Sequence, residues 1–80
     1  QKIEAFKMLV RHLDQQPDDI ESLLLALRLL YESHEQELTL TTPEVDREHL
    51  YRYAETYHAA NGRQGQLVQE WVNLISATHQ

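Results

Sequence analysis

Eighty residues allow one small domain with a thin stability margin, burying about 60–65% of the surface its unfolded chain exposes. Hydrophobic residues make up 41% of the chain, too many for a disordered segment and enough for a core. The net charge of −6 disperses seven bases among thirteen acids, which argues against nucleic acid and against an anionic membrane surface as direct ligands.

Cysteine is absent, so disulfides and thiolate chemistry are excluded and the redox compartment is left open. The longest apolar run, Leu23 to Leu27, falls far short of the ~20 residues a membrane-spanning helix needs. Two Gly and two Pro, with long uninterrupted stretches between them, point to helices. The chain opens at Gln1 directly on a helical pattern, and the expectation is a piece of a longer protein whose localisation cannot be read.

Ile3, Phe6, Leu9, Val10 and Leu13 recur at steps of three and four, predicting a helix over 2–16. It should end near Gln16, because the residue before Pro17 is pushed away from helical angles. Asp18 or Asp19 can cap a second helix over 19–36, with Glu21 placed as in a capping box. That helix carries a broad stripe of Ile20, Leu23, Leu24, Leu27, Leu30 and Tyr31, which Leu25, Ala26 and Leu29 extend to the adjacent face. A helix so nearly apolar all round must be covered on more than one side, so it is expected to be the central element.

ELTLTTP at 37–43 breaks the pattern and predicts a connection, with a short extended piece as the alternative. Thr41 or Thr42 then caps a third helix over 43–61, with Pro43 tolerated in the first turn. Val45, Leu50, Tyr53, Ala54, Tyr57 and Ala60 should face inward, and Asn61-Gly62 should end the helix. A fourth helix over 64–79 carries Leu67, Val68, Trp71, Val72, Leu74 and Ile75. The expected fold is all-α: about four helices as two antiparallel hairpins in a single domain over residues 1–80.

The spacing Leu50, Tyr53, Ala54, Tyr57, followed by Leu67-x₃-Trp71, resembles a tetratricopeptide repeat, whose pattern is W-x₂-L-G-x₂-Y and then A-x₃-F. Ala5-x₃-Leu9, Pro17 and Leu25-Ala26-x₂-Leu29 resemble the same pattern in offset register. The chain departs from it where Leu50 replaces Trp, where Leu67 replaces Ala, and where no second helix follows Leu29. The resemblance covers most of the chain outside 35–43 and implies a repeat-like stack, with a small right-handed helical bundle as the alternative.

It also implies a protein–protein interaction module, since the family's first helices line a peptide-binding groove. Carried onto this chain, the polar contacts would be Glu48, Tyr51, Glu55 and His58, suited to a basic protein or peptide partner. The apolar contacts would be Ile20, Leu23, Leu27 and Tyr31. The same polar residues also read as an ordinary solvated face, and the apolar row as one closed within the domain. A structural role, capping a longer helical stack or pairing as a homodimer, is the second reading.

Catalysis, a metal and a cofactor are not expected. Asp46-x₂-His49 and Glu55-x₂-His58 have the i, i+3 spacing of di-iron bundles, but both lie on one helix and no other helix offers a matching pair. HEQE at 34–37 lacks the second histidine of a zinc hydrolase motif.

Overall fold

Each helix of the chain begins or ends at a group the backbone can be seen to need. The computed structural model describes residues 1–77, and His79, placed by sequence in the last helix, lies outside them. Four helices are present and no strand occurs among the described residues: α1 (Lys2–Gln15), α2 (Ile20–Glu35), α3 (Pro43–Ala59) and α4 (Gly65–Ala77). α1 closes at Gln16, whose N–H still donates to His12 O before Pro17 turns the chain. Of the two candidate caps, Asp19 starts α2, accepting from the Ser22 hydroxyl at 3.0 Å and the Ser22 N–H at 3.5 Å. Thr42 caps α3 by accepting from Val45 N–H at 3.2 Å, with Pro43 opening the helix.

α2 and α3 end alike. Glu37 (φ 55°) and Asn61 (φ 59°) take the left-handed conformation just past each helix. The next N–H, of Leu38 and of Gly62, then reaches back to the carbonyls of Ser33 and Tyr57. α3 ends just ahead of Asn61-Gly62 as expected, and of the two it is Asn61 that takes the left-handed conformation, while Gly62 has no positive φ. What requires glycine at 62 is space, because a Cβ there would overlap ring atoms Cζ, Cε1 and Cε2 of Tyr57. The Tyr57 hydroxyl in turn accepts the Gln64 N–H at 2.9 Å, so one ring fixes the turn and the entry into α4.

Cross-helix contacts define the hairpins. Lys2 pairs with Glu32 at 3.9 Å and His12 with Asp19 at 2.6 Å, so α1 and α2 run antiparallel. Tyr51 meets Ser76 near one end of α3–α4, and Tyr57 meets Gln64 near the other, so that pair is antiparallel too. α2 packs against all three other helices, as its nearly all-round apolar surface requires. α1 approaches α3 through side chains, with Phe6 set edge-on to His49 at 5.5 Å between ring centroids. The result is a small four-helix bundle with a radius of gyration of 11.5 Å, close to the ~11.6 Å expected for a compact chain of this length.

The core gathers Phe6 and Leu13 from α1, Leu23, Ala26, Leu27 and Leu30 from α2, Leu50, Tyr53, Ala54 and Tyr57 from α3, and Val68, Trp71 and Ile75 from α4. Leu40, in the 37–43 connection, joins it and is only 4% exposed. Asp46 holds it there: its carboxylate accepts from Leu40 N–H (2.8 Å), Thr41 N–H (3.1 Å) and the Thr41 hydroxyl (2.7 Å). Three bonds to one anion fix a segment with no helix of its own. Asp46→Ala should cost about 1–3 kcal/mol, read as a lower urea midpoint. An unchanged midpoint would mean that the connection holds Leu40 without this clamp.

Candidate functional site

The sequence placed a polar stripe on α3 and an apolar row on α2, and they fare differently. Glu48, Tyr51, Glu55 and His58 all lie on the exposed side of α3. Tyr51 reaches α4, its hydroxyl 2.8 Å from Ser76 Oγ, and the His58 ring stands edge-on to Tyr57 of its own helix at 6.4 Å. The apolar row is split. Leu23 and Leu27 are fully buried, because α3 and α4 close over that face of α2, and as core residues they cannot meet a partner in the folded domain. Tyr31 is half-buried, stacked on Trp71 at 5.6 Å and 19° between ring planes, while Ile20 remains at the surface.

The uncovered apolar surface of α2 lies on its other face, against α1. Ala5, Met8, Leu9 and His12 from α1 meet Leu25, Arg28, Leu29 and Glu32 from α2 around an open groove of about 520 Å³. Both sets follow i, i+3, i+4, i+7 spacing, so two neighbouring helices present matching stripes to solvent. Met8 is 67% exposed and Leu25 46%, with the partly buried Leu9 and Leu29 packed against the core. The groove was legible only indirectly, in the apolar character of α2 on two faces and in the Ala5/Leu9 and Leu25/Leu29 spacings.

Charges at the groove are mostly committed. Glu32 pairs with Lys2, and His12 pairs with Asp19. Arg28 is exposed and makes no ion pair with any described residue. Two further exposed leucines stand apart on α4, Leu67 (38%) and Leu74 (50%), so the apolar residues read along that helix do not all face inward. Val45, expected inside, lies at the surface of the first turn of α3.

His49 is held in the packing between α1 and α3. Its ring sits between Phe6, edge-on at 5.5 Å, and Tyr53, stacked at 5.3 Å, and its Nδ1 is buried without a hydrogen-bond partner. Burial, and then the Arg52 charge, push its pKa below the usual imidazole value. Asp19 is shifted the same way for the opposite reason: hydrogen bonds from His12 and Ser22 favour its charged form.

The sign follows for each. The unfolded chain takes up a proton at His49 more readily than the folded one, so that contribution is complete above pH ~6.5 and is lost as pH falls below it. The Asp19 contribution is complete above pH ~4 and is lost below that. Acid should therefore weaken the fold in two stages, the first removed by His49→Phe and the second retained. Urea midpoints at a series of pH values test this; a flat profile between pH 7 and 5 in the unmodified chain would contradict the His49 assignment.

Among the described residues no cluster of three or more His, Asp or Glu is placed to hold a metal ion, and no helix is long and apolar enough to cross a membrane. No protein-family model, curated protein or solved structure matches this chain.

Proposed function

We propose that this chain is a protein-interaction module of tetratricopeptide-like helical-hairpin type, working within a larger protein, whose main docking surface is the α1–α2 groove. The observation that carries the reading is the exposure of Met8 and Leu25 over a floor of Leu9 and Leu29, which together line one open, largely apolar groove between two helices. A groove walled by two helices with matching stripes is the geometry into which an amphipathic helix lays its apolar face.

A binding role suits the site better than a catalytic one. Its carboxylate, Glu32, already pairs with Lys2, its imidazole, His12, is hydrogen-bonded to Asp19, and the rest of the wall is largely apolar. The acidic surface supports a protein or peptide partner over nucleic acid. Glu48 and Glu55 leave the α3 edge acidic, which favours a basic segment there as a second contact.

Self-association, or the capping of a longer helical stack, is the second reading, favoured by the exposed Leu67 and Leu74 on α4. A stapled helical peptide with leucines at i, i+4 and i+7 and a glutamate flank tests the first. It should bind the wild-type chain, and Leu25→Glu should weaken it about tenfold or more while leaving the circular dichroism unchanged, since Leu25 lies at the surface. Equal binding by the variant would remove the groove from the account.

A further inference from the structure

We infer that the groove is filled by a second copy of this chain, which inserts the outer ridge of its α4 with Glu70 set against Arg28. The inference rests on the groove being a docking surface and adds its occupant. Leu67, Glu70 and Leu74 stand at i, i+3 and i+7, all exposed, so an apolar ridge carries a carboxylate near its middle. The groove is the complement: Leu25 and Leu29 flank Arg28, a guanidinium without an ion-pair partner among the described residues. Glu70 is equally unpaired among them.

The lengths agree. Leu67 to Leu74 and Leu25 to Glu32 are each eight residues long, about 10 Å of helix from first to last. Within one chain the two surfaces do not cover each other: Leu67, Glu70 and Leu74 on α4 and Met8, Leu25 and Arg28 at the groove are all exposed.

Ridge and groove are different patches, so a contact that uses one ridge and one groove is head-to-tail. Each added copy exposes a fresh groove and a fresh ridge, and association grows past a dimer instead of closing at one. The charge of −6 on every copy opposes this, so growth belongs to high protein concentration.

Sedimentation velocity over a wide concentration range tests it, on the wild-type chain and on Arg28→Glu and Glu70→Arg. Both positions are exposed, and circular dichroism checks that the variants fold. The wild type should gain mass beyond a dimer. Each variant alone faces like charges across the contact and should associate about tenfold more weakly or worse. Their equimolar mixture should recover association, since both junctions then join opposite charges.

Variants that assemble as the wild type does overturn the inference, and so does a wild type that stays monomeric throughout. A monomer that still binds the acid-flanked peptide loses the second copy and keeps the groove. A monomer that binds neither loses both.

Discussion

Gly62→Ala should destabilise the domain by about 3 kcal/mol, toward the upper end for an overpacked site. The added methyl group falls on the ring of Tyr57, which is itself only 1% exposed and cannot swing out without emptying the core. The ring also has to stay where its hydroxyl receives the Gln64 N–H, so a displacement large enough to admit the methyl breaks the start of α4 as well. Backbone strain is not the cause, because Gly62 has no positive φ. Gly65→Ala is the control: its Cβ would meet nothing closer than His58 Nδ1 at 3.6 Å, an ordinary contact. At the first residue of a helix that change should be neutral, or stabilising by a few tenths of a kcal/mol up to about 1. Denaturant unfolding followed by circular dichroism separates the two. Similar effects at both positions would contradict the Tyr57 packing.

Trp71→Ala should cost about 3–5 kcal/mol. Trp71 is 8% exposed, belongs to the cluster that joins α4 to α2, and stacks on Tyr31. Its removal takes away a large buried surface and leaves Tyr31 without its partner. A domain of this length has roughly 4–12 kcal/mol of total stability, so the variant unfolds at room temperature at the low end of that range and loses roughly a third of its margin at the high end. Trp71→Phe keeps an aromatic ring facing Tyr31 and should cost less than half as much. If Trp71→Ala left the midpoint unchanged, the packing of α4 on α2 would be wrong.

The helices were legible because their ends carry chemistry: Pro17, Pro43, the caps Asp19 and Thr42, and the Asn61-Gly62 turn. The roles inside that last turn were not. Asn and Gly both accept the left-handed conformation, and only the position of the Tyr57 ring shows why the second must be glycine. Leu40 is a similar case. Nothing in ELTLTTP says that it is buried, because its anchor, Asp46, lies six residues away on the next helix.

The candidate site exposes a deeper limit. α2 has two apolar faces, Leu23/Leu27/Leu30 and Leu25/Leu29, and periodicity assigns residues to faces without saying which face the other helices cover. α3 and α4 cover the first, so Leu23 and Leu27 became core and the open surface moved to α1 and Met8. On α4 the same ambiguity leaves Leu67 and Leu74 outside while Val68, Trp71 and Ile75 go in. The polar stripe on α3 was placed correctly at the surface, since charged residues there had only one face to occupy.

Amide chemical-shift mapping by nuclear magnetic resonance, with the acid-flanked helical peptide titrated into the labelled chain, tests the groove most directly. The account predicts shifts concentrated at Ala5, Met8, Leu9, His12, Leu25, Arg28 and Leu29, with α3 little changed. Shifts confined instead to Glu48, Tyr51, Glu55 and His58, or none at saturating peptide, would contradict it.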